Sequence, residues 1–148
     1  MIRLVGAEAT AALGATLASV LRCGDVVALS GDLGAGKTTL VRGLLHALGF
    51  EGEVPSPTFP IVIPYAPPEL RLPLWHVDLY RIEDPGEIAE LGLDEARLDG
   101  ALLIEWPERM GGLLWPDALR LTIAAEGADA RRLTWHGSPA WEGRWPLR

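Results

Sequence analysis

The sequence predicts an α/β fold, a mostly parallel or mixed central sheet flanked by helices. Three observations predict it. Short apolar runs bounded by glycine or by an acidic residue alternate with segments of helical periodicity. A glycine-rich segment sits between one such run and one such helix. Near the C-terminus, two strand-like runs flank Glu126-Gly127, as in a closing β-hairpin. The 148 residues suit one compact domain spanning the whole chain, and 49% apolar residues supply a core for it.

The elements follow in order. Residues 7–22 read as an amphipathic helix, because Leu13, Leu17, Val20 and Leu21 recur at helical spacing. Glu8 interrupts the apolar run there, which makes an amphipathic helix a better reading than a signal peptide. Residues 25–30 read as a buried strand between Gly24 and Gly31. Lys37 to Leu48 reads as a helix with Leu40, Leu44, Leu45 and Leu48 on one face, stopped by Gly49. Prolines are too dense in residues 51–60 for a helix. Residues 61–65 and 72–78 read as strands around a turn at 66–69, and 85–90 as a short helix with Pro at its first turn. Ala101 to Glu105 is a further buried strand, and 119–125 with 131–136 make the hairpin.

Between the first strand and the second helix stands Gly31-Asp32-Leu33-Gly34-Ala35-Gly36-Lys37-Thr38, the phosphate-binding pattern G-x-x-x-x-G-K-[ST]. Lys37 is the only lysine in the chain; the other twelve basic residues are arginine. Strand before and helix after are the context that makes this a P-loop, and the fold P-loop NTPase-like. The glycines let successive N–H groups turn inward on anionic oxygens, and the helix N-terminus adds its partial positive charge. Lys37 is expected on the β- and γ-phosphates, Thr38 on Mg²⁺ and Thr39 on the α-phosphate. An acidic residue closing an apolar strand is costly unless it meets a cation or donors. Asp78 and Glu105 are such residues, one to hold Mg²⁺ and the other to orient an attacking water. Guanine-specific P-loop proteins read their base with an Asn-Lys-x-Asp element. This chain has no Asn and has committed its only Lys, so ATP is preferred over GTP.

Composition narrows the function. Net charge is −7, so the chain has no electrostatic footprint for nucleic acid of its own. Cys23 is the single cysteine, which rules out an internal disulfide, fits a reducing cytoplasm and reads as a small apolar filler. No stretch is long and apolar enough to span a membrane. His76 reads as a hydrogen-bonded structural histidine or a general base. Trp106 reads as core filling or as a partner sensor. The tail residues Trp135, Trp141 and Trp145 read as sheet packing in preference to base stacking.

Several of these pieces occur in a fixed order: the P-loop followed by Thr39, then Ser56-Pro57-Thr58-Phe59, His76-Val77-Asp78-Leu79-Tyr80-Arg81 and Ile104-Glu105-Trp106-Pro107-Glu108. This set closely resembles the TsaE (YjeE) family, bacterial ATPases that support threonylcarbamoyladenosine synthesis on tRNA. The resemblance spans about residues 7–135. It implies a P-loop ATPase acting with the TsaB–TsaD pair on adenosine 37, and touching tRNA only through those partners. Position by position, it implies that Gly31, Asp32, Leu33, Gly34, Ala35, Gly36, Lys37, Thr38 and Thr39 bind the nucleotide. Thr38 and Glu105 would contact Mg²⁺, and Lys37, Asp78 and Glu105 would form the catalytic set. Ser56 and Thr58 would belong to a loop that senses the γ-phosphate, and Thr10 would lie beside the adenine. Tyr80-Arg81 and Trp106 would couple the site to the partner.

Two other functions use the same loop. A small-molecule kinase would add an Arg-bearing lid, for which only Arg81 and Arg97 are candidates. A binding module would take ATP for stability alone. The accessory ATPase is preferred over both, on the expectation that the chain has little room for a second substrate pocket.

Overall fold

The computed structural model describes residues 1–32, 35–54, 62–67 and 70–145. Strands β1 (Ile2–Val5), β2 (Val26–Ser30), β3 (Val62–Tyr65), β4 (Leu74–Asp78), β5 (Ala101–Glu105), β6 (Leu119–Glu126) and β7 (Ala130–His136) form one sheet in the order β1-β7-β6-β2-β5-β4-β3. The four central strands β6, β2, β5 and β4 are parallel, and β3, β7 and β1 join by antiparallel pairing. The predicted mixed sheet and C-terminal hairpin are both present, with β6 and β7 turning after Glu126.

Helices α1 (Gly6–Val20) and α2 (Lys37–Leu48) cover one face of the sheet. Helix α3 (Leu93–Asp99) and 3₁₀ turns at Pro85–Leu91 and Pro107–Leu113 lie on the other. Alternation along the strands divides the core between the faces. Val27, Leu29, Leu74 and Leu103 pack with the α1–α2 layer, whereas Val26, Val77, Leu102 and Ile104 pack with the opposite layer. The four leucines predicted to face one way from α2 are all buried.

Helices α1 and α2 touch backbone to backbone. A methyl group on Gly14 would come within 2.2 Å of the Leu40 carbonyl, and one on Gly43 within 2.2 Å of the Ala11 carbonyl. Only glycine permits this approach, which locks the middle of α1 against the first two turns of α2.

The differences from prediction lie at element edges and in short elements, since α3 and the Pro107–Leu113 turn were not expected. The first helix stops at Val20, and Leu21 is extended although buried. The expected strands at 25–30 and 72–78 begin one and two residues later, at Val26 and Leu74. The turn at Pro85–Leu91 is 3₁₀, held by a capping box between Asp84 and Glu87. Strand β1 was not foreseen, because it has four residues of which only Leu4 is buried. Cys23 is exposed, with Sγ 3.8 Å from the Asp99 carbonyl, so it is not the apolar filler expected. The three tail tryptophans do pack on the fold: Trp141 and Trp145 are buried, and Trp145 meets Trp135 edge to face. Among the described residues, no helix is long and apolar enough to cross a membrane.

Candidate functional site

Parallel strands deliver their C-terminal ends to one edge of the sheet, and such edges are where open α/β sheets bind ligands. Here β2, β4 and β5 end at Ser30, Asp78 and Glu105. Glu105 stands between its two neighbours, in register with Leu29 of β2 on one side and Asp78 of β4 on the other. Helix α2 begins at this same edge. Gly36 caps it at φ 108°, a conformation that glycine takes without strain, and Lys37 is its first residue.

Lys37, His76, Asp78 and Glu105 are all buried. His76 Nε2 lies 2.6 Å from Glu105 Oε2, so the histidine holds one carboxylate oxygen. Lys37 Nζ lies 3.9 Å from the other, Oε1. Asp78 Oδ1 accepts the Tyr80 N–H at 2.9 Å. Burial pushes the Asp78 carboxyl above its ordinary range, and the neighbouring Glu105 pushes the same way. The Tyr80 N–H, Lys37 and His76 pull it back without cancelling the rise.

Lys37 Nζ and His76 Nδ1 have no hydrogen-bond partner among the described residues. A buried ammonium without an acceptor is costly, and an anion with several oxygens would satisfy it. Gly31 supports the same reading. A Cβ on it would fall 2.5 Å from the Ile123 carbonyl, so the loop hugs β6 where only a bare backbone fits. A phosphate chain therefore fits the residues present. Among the described residues, no group of three or more His, Cys, Asp or Glu side chains could hold a metal ion unaided. Mg²⁺ characteristically takes one or two carboxylates and completes its shell with phosphate oxygens and water, so the donor set here suits Mg²⁺ carried in with a phosphate ligand.

The remaining predicted residues fall as follows. Thr38 is exposed on the first turn of α2. Thr10, buried in α1, lines a small cavity of about 180 Å³ with Gly6, Ala7, Gly36, Thr39, Asp129 and Arg131. The fold therefore brings Thr10 to Thr39 and the end of the glycine loop. Asp129 and Arg131, which sequence reasoning missed, arrive there on the β6–β7 hairpin. Asp32 and Ala35 line a larger cavity of about 820 Å³ that runs past Gly31 to Trp106, Glu108, Arg109 and β6 residues Thr122 to Ala125. Ser30 Oγ donates to Glu108 at 2.5 Å at this edge. Leu33, Gly34, Ser56 and Thr58 lie outside the described residues.

Trp106 follows Glu105 directly and carries more of the site than the sequence disclosed. Lys37 Nζ sits 4.3 Å from its ring centroid, and the Tyr80 ring packs against it at 4.9 Å. Its E-W-P context marked it, but not the contact with Lys37.

Comparison with known proteins points one way. A family profile described as threonylcarbamoyl adenosine biosynthesis protein TsaE matches residues 4–133. The tRNA threonylcarbamoyladenosine biosynthesis protein TsaE of Bacillus subtilis is 41% identical over 133 residues, 89% of this chain and 82% of the relative. Its counterpart in Streptomyces coelicolor is 49% identical over 114 residues, 75% of this chain and 76% of that one. Among solved structures, YdiB of Bacillus subtilis superposes with a TM-score of 0.78 at 35% identity, over 92% of this chain and 83% of its own.

Proposed function

This chain belongs to the TsaE family, which takes part in tRNA threonylcarbamoyladenosine biosynthesis, and we propose that its part is that of a partner-stimulated Mg-ATPase. The observation that carries the proposal is the buried ammonium of Lys37, which has no hydrogen-bond acceptor among the described residues and is set at the N-terminus of α2 beside Glu105.

In this reading, the glycine loop and Lys37 hold the phosphates, and Thr38 and Glu105 hold Mg²⁺. Thr10 lies beside the adenine and Thr39 on the α-phosphate. Bound Mg²⁺ would neutralise charge that develops on the transferred phosphoryl group. His76 fixes one Glu105 oxygen, so the carboxylate is oriented before any ligand arrives. Asp78, with its pKa raised by burial, is suited to hold or take a proton from an attacking water. Ser56 and Thr58 would report the γ-phosphate to a partner. That partner is the TsaB–TsaD pair, which would supply contact with tRNA that a chain of net charge −7 lacks.

The test is ATP hydrolysis by the purified chain, with and without the TsaB–TsaD pair. Slow hydrolysis alone, stimulation by the pair and loss of both in Lys37→Ala are expected. Fast hydrolysis unchanged by the pair would overturn the accessory role. The 820 Å³ cavity beside the loop favours a second reading, a kinase with an acceptor there. Transfer of labelled γ-phosphate to a metabolite from a panel would establish that reading instead.

A further inference from the structure

Trp106 stands at φ 58° and ψ 50°, the left-handed region, and it is the one described residue other than glycine with positive φ. For a bulky side chain this backbone is strained, and glycine would relieve it. Such strain persists where the surroundings enforce it, most often at functional sites. The chain therefore tolerates strain in order to put an indole at this position.

The indole has two neighbours of different character. On the buried side is Lys37 Nζ, 4.3 Å from the ring centroid. On the surface side is Tyr80, half-exposed, with its ring 4.9 Å away and tilted by 49°. Trp106 also lines the 820 Å³ cavity that runs along the glycine loop. Lys37 has four rotatable side-chain bonds and no hydrogen-bond acceptor among the described residues. What fixes its ammonium is the Glu105 carboxylate at 3.9 Å and this ring. A ring face attracts a cation through its quadrupole and offers no oxygen acceptor, so it holds the charge while leaving the N–H donors for an incoming anion.

We propose that Trp106 is the positioning residue of the phosphate lysine: its indole, braced by Tyr80, holds the Lys37 ammonium in place beside Glu105, ready for a polyphosphate. The inference rests on the nucleotide reading above for its ligand, but not for the contact itself. Its thermodynamic content is preorganisation. A long, flexible cation that is already placed loses less rotamer freedom when the anion binds.

The single lysine makes the contact directly observable. Protein labelled with ¹³C-lysine gives one side-chain Cε–Hε signal, because Lys37 is the only lysine. In the wild type, the indole ring current should place that signal upfield of the ordinary lysine position. Trp106→Phe keeps a ring with a weaker quadrupole and should keep a smaller upfield shift. Trp106→Leu should return the signal to the ordinary position. The amide spectrum of each variant confirms that it is folded. Affinities for Mg-ATP and for inorganic tripolyphosphate should fall in the same order, by about fivefold from Trp to Leu. A structural role alone would not grade both readouts by ring character. An ordinary lysine position in the wild type, or equal affinities across the series, overturns the proposal. Flat shifts with intact Mg-ATP binding would overturn the Trp106 assignment alone. An upfield signal in a wild type that binds neither ligand would overturn the nucleotide reading, and the positioning role with it.

Discussion

Two clusters of the same composition stand at opposite ends of β2. Each contains a carboxylate, a cation and a tryptophan, and they differ in how completely they are paired. Just before β2, Asp25 takes both terminal nitrogens of Arg144 at 2.9 and 3.0 Å and the Arg22 N–H at 2.7 Å. Arg144 also donates to the Val20 carbonyl and lies 4.2 Å over Trp141. Just beyond β2, Lys37 faces Glu105 and Trp106 at similar distances but makes no hydrogen bond among the described residues. The first cluster is closed at its carboxylate, with only Arg144 Nε left without an acceptor among the described residues, and it staples the C-terminal segment to the sheet. The second is open, because the Lys37 ammonium has no hydrogen-bond acceptor among the described residues. The cation in each cluster suits its role, since guanidinium makes a rigid two-pronged pair whereas ammonium is a movable point charge.

The largest expected effect separates the clusters by ligand binding. Lys37→Met should weaken Mg-ATP by about 100-fold, since it removes charge-assisted bonds to phosphate. It should cost less stability in urea than Arg144→Met, because His76 at 2.6 Å still holds the Glu105 carboxylate once the ammonium is gone. Calorimetric titration and urea unfolding check the two halves.

Arg144→Met should do the reverse. Stranding the Asp25 carboxylate should cost about 3 kcal/mol in urea unfolding and leave Mg-ATP affinity unaltered. Burial already pushes the Asp25 carboxyl up despite Arg144 and the Arg22 N–H, so losing the guanidinium raises it further. Adding Asp25→Asn to Arg144→Met should therefore recover part of the loss. No recovery would mean that the staple acts through the Trp141 contact.

The smallest effect concerns pH. The Asp78 pKa is raised in the folded protein, so ionised Asp78 opposes folding. That penalty is absent below the ordinary value of 3.8, grows as pH rises through the folded value and is full above it. Asp78→Asn should be more stable than wild type near neutral pH, and the gap should close on acidification toward 3.8. Unfolding curves across that range show the sign, and a gap that widens on acidification would break the account.

What the sequence disclosed follows the range of its signals. The P-loop, the leucine face of α2 and the acid-terminated strands are local patterns, and the fold placed Asp78 and Glu105 side by side as that pattern implied. Long-range pairings had no such signal. Arg144 meets Asp25 across 119 positions, and Asp129 and Arg131 reach Thr10 only because a hairpin folds back. Trp106 was visible as a residue, but its conformation was not. Its contact with Lys37 depends on a left-handed backbone that no propensity assigns to tryptophan.

If Mg-ATP completes the open cluster, the closed one should be indifferent to it. The direct measurement is chemical unfolding of wild type, Lys37→Met and Arg144→Met with and without Mg-ATP. At 100 times the wild-type dissociation constant, the ligand should add about 2.7 kcal/mol to wild type and to Arg144→Met, and only about 0.4 kcal/mol to Lys37→Met. Equal stabilisation of all three, or none in the wild type, would contradict completion by Mg-ATP.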